Sequence, residues 1–153
     1  MRTLYTDASF DWTSTDQTTE NVVRGKIAIS DGNGFERVEK VVIGKVEGLK
    51  QYINVLELTA VARAIELANQ ENPKSDKLNI FTDSKTAMYW ARKSNIKQKI
   101  RTTAHDNVLE YLRRVRIQFG FGGKIEFNFV PRDNNPAGKL LEAQLEKEAP
   151  HAV

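Results

Sequence analysis

The sequence predicts an α/β protein: a mixed five-stranded sheet, three strands antiparallel and then two parallel, with helices on both faces. Three observations predict it. Three stretches of the N-terminal third alternate apolar and polar residues and are separated by polar or glycine-containing segments, as successive antiparallel strands are. The rest of the chain alternates helical and strand periodicity, the β-α-β order that sets parallel strands side by side. Two of the apolar-alternating runs end on an aspartate, where an open α/β sheet keeps its ligands.

Residues 2–9 alternate as the first strand, and the polar run from Asp11 to Glu20 reads as a loop. Val22 to Ser30 is the second strand, Asp31-Gly32-Asn33-Gly34 is a turn, and Phe35 to Gly44 is the third strand. Gln51 to Asn69 carries Leu56, Val61, Ala64, Ile65 and Ala68 at helical spacing and ends before Pro73. Leu78 to Thr82 is a short buried strand, and Ser84 to Arg92 is a helix that Asp83 or Ser84 can cap. Thr102 to Phe119 reads as a helix through Val108, Leu112 and Val115, stopped by Gly120-Phe121-Gly122-Gly123. Ile125 to Val130 is the last strand. Pro131 to Asn135 is a loop, and Pro136 opens a helix with Leu140, Leu141, Ala143 and Leu145 on its apolar face.

Composition sets the bounds. A chain of 153 residues is expected to fold as one domain, residues 1–153, around one core. It has no cysteine, which excludes disulfides and thiolate metal sites and fits a reducing, cytoplasmic location. No apolar run is long enough for a signal peptide or a membrane span, so no membrane partner is expected, and a monomer is. The net charge of +3 is mild, but its distribution is uneven. Arg92, Lys93, Lys97, Lys99 and Arg101 crowd one segment, and Arg113, Arg114 and Arg116 follow. The first group reads as phosphate-tracking, because cations beside a carboxylate cluster attract a polyanion that the carboxylates alone repel. The second reads as a solvated helix end.

Asp7, Glu57 and Asp83 carry the chemistry. Asp7 ends Thr3-Leu4-Tyr5-Thr6, and Asp83 ends Leu78-Asn79-Ile80-Phe81-Thr82. Glu57 lies among apolar residues of a helix, where burial is costly without a cation or a partner. Singly, these are a turn former, a helix cap and a half-exposed helix residue. Together, with no His or Cys nearby in sequence, they point to a hard, oxygen-liganded divalent cation, Mg²⁺ or Mn²⁺. Ser9 and Ser84 have no histidine placed to activate them. His105 and His151 read as surface residues, and Tyr89 and Trp90 as core.

Tyr5-Thr6-Asp7-Ala8-Ser9, Leu56-Glu57-Leu58 and Phe81-Thr82-Asp83-Ser84-Lys85-Thr86-Ala87 resemble, in order and spacing, the signatures of the ribonuclease H type 1 family, from Met1 to about Glu148. The resemblance implies an RNase H-like sheet and metal-dependent endonucleolytic hydrolysis of the RNA strand of an RNA–DNA hybrid, leaving 5′-phosphomonoester ends. It implies two divalent ions about 4 Å apart that clamp the attacking and leaving oxygens. Asp7 would bridge them, Asp83 would hold the ion on the nucleophile side and Glu57 the ion on the leaving-group side. Glu57 would also reach a ribose 2′-hydroxyl, the group that separates RNA from DNA. Asn54 falls where the family contacts the hybrid backbone, and Arg132 where it often has a His. Arg132, Arg92, Lys93 and Lys97 are then the candidate substrate-binding cations.

One position departs from the family. Its fourth acidic ligand stands at the start of the last helix, after an Asn. Here alignment on Asn135 puts Lys139 at that position, and alignment on the Ala-x-x-Leu pattern puts Gly138 there. Glu142 one turn on, or Asp133 or Asn134 from the loop, could substitute; otherwise Lys139 supplies a fixed positive charge. Glu142 is the preferred fourth acidic group. The family's Trp-rich basic handle is also absent. A hybrid-binding protein with little catalysis is the alternative reading.

Overall fold

The computed structural model describes residues 1–11, 22–44, 52–97, 101–120 and 122–148. Most of the loop expected over residues 11–20, together with Gln51, Lys99, Phe121 and His151, lies outside the described residues. The strands are β1 (Arg2–Phe10), β2 (Val22–Ser30), β3 (Glu36–Gly44), β4 (Lys77–Thr82) and β5 (Lys124–Phe129). The helices are α1 (Tyr52–Asn69), α2 (Lys85–Lys93), α3 (Thr103–Phe119) and α4 (Pro136–Glu148). The sheet order is β3-β2-β1-β4-β5. β3–β2 and β2–β1 pair antiparallel, and β1–β4 and β4–β5 pair parallel. This is the mixed sheet expected. Among the described residues the one added element is a single 3-10 turn, Arg132–Asn134, within the expected loop.

The period-two pattern distributes the apolar side chains over both faces. Leu4, Ile27, Ile29, Leu78 and Ile80 join the core formed with α1, α2 and α3. Tyr5, Ala28 and Val38 face Ala137, Leu141 and Leu145 of α4. Register fixes this division, since a one-residue slip would exchange the two sets. α1 is buried along most of its length, between the sheet and α3. Its contact with β2 is close: a Cβ on Gly25 would lie 2.6 Å from Leu56 Cδ2 and 2.9 Å from Ser9 O. Only a residue without a side chain allows that approach, which seats Glu57, the next residue after Leu56, beside the end of β1.

The β2–β3 turn closes on Asp31, whose Oδ1 accepts from the Asn33 and Phe35 amides at 2.7 and 3.0 Å. Gly32 and Gly34 supply the positive φ angles there, 73° and 106°. At the start of α3 the structure departs from expectation. His105 is fully buried rather than on the surface. Its Nδ1 accepts from the Thr102 amide at 3.1 Å, closing a capping box, and its ring meets Trp90 edge-on at 5.6 Å. Burial lowers its pKa below the usual histidine range. Of the two aromatics expected in the core, Trp90 is buried, whereas Tyr89 faces solvent. Among the described residues no helix is long and apolar enough to cross a membrane.

Candidate active site

Parallel pairing of β1 with β4 runs to Thr6 opposite Thr82, and Asp7 and Asp83 are the next residues on each side. Thr6 Oγ1 donates to Phe81 O at 3.0 Å and holds β1 and β4 together where their pairing ends. Glu57 enters from α1. Ligand oxygens of Asp7, Glu57 and Asp83 all lie within 4.8 Å of one another. Glu57 is buried, and its Oε2 has no hydrogen-bond partner.

Three carboxyls so close cannot all be charged cheaply in a poorly solvated site. Burial, and then the charge of Asp83, raise Asp7 to a pKa of about 6, well into the range where a carboxyl keeps its proton in mild acid. Burial also pushes Glu57 far above the usual carboxylate range, with the charges of Asp7 and Asp83 adding to it. The Ala8 amide and the positive charge of Arg132 act in the opposite direction on Asp7.

The neighbouring polar residues hold this group in place. Ser84 caps α2 by accepting from the Ala87 amide at 3.1 Å, and its Oγ donates to Asn54 Oδ1 at 3.2 Å. Asn54 stands one turn before Glu57, so this bond links the starts of α1 and α2. Asn135 is fully buried. Its Nδ2 donates to Thr6 O at 3.0 Å and to Asp83 Oδ2 at 3.2 Å, and its Oδ1 accepts from the Ala137 amide at 3.1 Å. Asn135 therefore caps α4 and orients Asp83 at once. In the sequence it served only to align the last helix, yet an Asn directly before a Pro at a helix start is a capping signal.

On α4 the residue facing Asp7 is Gly138: a Cβ there would lie 3.1 Å from Asp7 Oδ2. Lys139, Glu142, Asp133 and Asn134 are all exposed. Among the described residues none of them joins the carboxylate group. The structure thus brings together the three acids and Asn54 and does not bring Glu142 to them. Arg132 opens the 3-10 turn near Asp7. Lys93 and Lys97 are exposed, while Arg92 Nε donates to Phe127 O at 3.0 Å on β5. Arg101 pairs with Asp106 and Arg113 with Glu110, so both are partly neutralised within the fold.

No protein-family model and no curated protein matches the chain. Solved structures do. A ribonuclease H1 isolated from compost by a metagenomic approach, LC11-RNase H1, is 17% identical with a TM-score of 0.60, over 95% of this chain and 95% of that one. The ribonuclease H1 of the archaeon Halobacterium salinarum NRC-1 is 16% identical, TM-score 0.58, over 95% and 97%. LC11-RNase H1 has also been solved in complex with an RNA/DNA hybrid, and that structure matches at 15% identity and a TM-score of 0.56, over 91% of each chain. These likenesses show the fold, that of ribonuclease H type 1 structures.

Proposed function

We propose that this chain is a divalent-metal-dependent endonuclease that hydrolyses the RNA strand of RNA–DNA hybrids and leaves 5′-phosphomonoester ends. It would act as a monomer, with residues 1–153 forming one domain. The observation that carries the reading is the convergence of Asp7, Glu57 and Asp83 within 4.8 Å where the parallel pairing of β1 and β4 ends. The donor set suits a hard cation: three carboxylates, no nitrogen or sulfur ligand, and one buried oxygen lacking a hydrogen-bond partner. Asp7, Glu57 and Asp83 would hold Mg²⁺ or Mn²⁺. When bound, such ions activate a water and offset charge on a phosphodiester undergoing displacement.

The chain's own residues do the rest. Asn135 holds Asp83 in its rotamer and fastens β1 at Thr6 to α4. Arg132, close enough to act on Asp7, meets the scissile phosphate. Asn54, steadied by Ser84, and Glu57 face the minor groove and its 2′-hydroxyls. Lys93 and Lys97 track the backbone beyond the cleft.

A second reading has one observation in its favour. The α4 residue opposite Asp7 is a glycine, so the group has no fourth carboxylate among the described residues. On that reading the protein binds hybrids and cleaves them poorly. Cleavage of an end-labelled RNA–DNA hybrid in Mg²⁺ or Mn²⁺ separates the two, with single-stranded RNA and DNA duplex as controls. Hybrid-specific RNA cuts that vanish in Asp7→Asn support the nuclease. Salt-sensitive binding without cutting in either metal supports the binder.

A further inference from the structure

β5 is an edge strand, and its outer flank carries a second charged feature away from the carboxylates. Arg92 in the last turn of α2 and Arg116 in the last turn of α3 line one groove of about 310 Å³ with Ile125, Glu126, Phe127 and Asn128. Neither guanidinium has a carboxylate partner among the described residues. Both are held by neutral groups instead. Arg92 Nε donates to Phe127 O at 3.0 Å. Arg116 Nη1 donates to Ala91 O at 3.2 Å and to Ser94 Oγ at 2.7 Å, with its guanidinium 5.3 Å from the centre of the Phe127 ring. The acid in the groove, Glu126, is already engaged by Lys124 at 3.2 Å and Lys77 at 3.9 Å. Two arginines so fixed keep their remaining N–H donors for an outside acceptor, and planar guanidinium forks suit phosphate oxygens.

The groove lies on a path from the carboxylates. Phe127 pairs with Ile80, three residues before Asp83 on the neighbouring strand. That places it on the order of 10 Å along the strand direction, roughly three base steps of a duplex strand. Between them Lys85 Nζ sits 5.1 Å over the ring of Phe129, two residues along β5 from Phe127 and on the same side of the strand. Cations therefore follow one another from Lys85 to Arg92 and Arg116 down one side of β5.

We propose that this groove binds the phosphodiester backbone of a nucleic-acid strand outside the catalytic cleft, with Arg92 and Arg116 as a paired phosphate clamp. That the strand belongs to a hybrid rests on the function proposed above; the groove's affinity for a phosphate backbone does not.

The test is the salt dependence of binding for a fluorescently labelled 18-base-pair RNA–DNA hybrid in EDTA, with cleavage in Mg²⁺ or Mn²⁺ measured on the same proteins. The proteins are wild type, the double variant Arg92→Gln/Arg116→Gln, and Asn128→Asp, which puts a carboxylate into the groove without touching the anchors of either arginine. Each lost phosphate contact lowers the slope of log K against log salt by about one unit. The double variant should lose about two units, so wild type's advantage shrinks roughly tenfold between 50 and 200 mM salt. Asn128→Asp should lose about one. If Asn128→Asp and every folded arginine variant keep the wild-type slope, the groove is not a phosphate site, whether or not the hybrid is cut. If the slopes fall but nothing is cut, the clamp stands and the nuclease reading falls. If wild type binds no hybrid at all, both fall.

Discussion

Replacing Asp7 with asparagine is expected to stabilise the metal-free protein at neutral pH while abolishing cleavage. Asp7 titrates near 3.8 in an unfolded chain and at about 6 in the fold, because burial and the charge of Asp83 oppose its ionisation. A raised carboxyl pKa means that the folded state binds the proton more tightly than the unfolded state. The contribution to stability is therefore complete below pH ~4 and is lost as pH rises through about 6. About two pKa units, at 1.36 kcal/mol each, make that loss roughly 3 kcal/mol by pH 7.5. Asparagine carries no charge to bury. The variant should then melt higher than wild type by about 6–12 °C at pH 7.5 in EDTA, with the difference shrinking to nothing near pH 4. Thermal and urea melts across that range read it directly. A variant no more stable than wild type at pH 7.5, or a gain that does not depend on pH, would refute the account of the site as a set of mutually repelling, poorly solvated acids.

Three further outcomes follow from the same geometry. Mg²⁺ or Mn²⁺ at a hundred times its Kd should stabilise wild type by about 2.7 kcal/mol at pH 7.5, and by less at pH 5, where Asp7 holds its proton. Differential scanning fluorimetry checks this, and an equal shift in Asp7→Asn would place the metal elsewhere. Asn135→Ala leaves Thr6 O, Asp83 Oδ2 and the Ala137 amide without their partner. It should cost about 1–3 kcal/mol of stability and slow cleavage 10- to 100-fold, and unimpaired cleavage would remove Asn135 from the site. Glu142 is exposed and outside the carboxylate group, so Glu142→Gln should change cleavage no more than about twofold, the scale of a solvent-screened charge. A loss of tenfold or more would show that α4 does supply a fourth acid.

The elements legible in the sequence were those with a strong period. β2 sets Val23, Ile27 and Ile29 at period two, and α1 keeps apolar residues at helical spacing, so both could be placed by pattern alone. The convergence of Asp7, Glu57 and Asp83 was legible for a related reason: a β-α-β order brings together the point where two parallel strands part and the first turns of the helix packed on them. His105 was misplaced because a polar residue in a first helical turn usually faces water. Its burial arises from a local capping bond to Thr102 and from packing against Trp90 and Tyr52, and that packing is long-range and leaves no local periodicity. Asn135 and Gly138 were harder still. What each does depends on α4 lying against β1 at Thr6 and Asp7, a relation between residues far apart in sequence. Arg116 looked like an ordinary cation at a helix end, and only the fold shows Phe127 and the carbonyl of Ala91 beneath it.

Gly138 gives this site its particular electrostatic character. An acid there would add a fourth negative charge to a group in which Asp7 already holds its proton up to about pH 6. Its Cβ would also sit 3.1 Å from Asp7 Oδ2, tighter than an ordinary contact, so Asp7 or the start of α4 would have to give by a few tenths of an ångström. With glycine the helix approaches Asp7 closely, and Asn135, three residues earlier, can reach both Thr6 O and Asp83. The arrangement exchanges a ligand for proximity. Affinity for a hard cation falls with each carboxylate removed, so a three-acid centre depends more on oxygens from elsewhere. The phosphates of a bound strand are such oxygens, and the cations Arg132, Lys85, Arg92 and Arg116 stand where they would draw that strand in. On this argument metal affinity and substrate affinity are coupled: each charged partner relieves the electrostatic cost of binding the other.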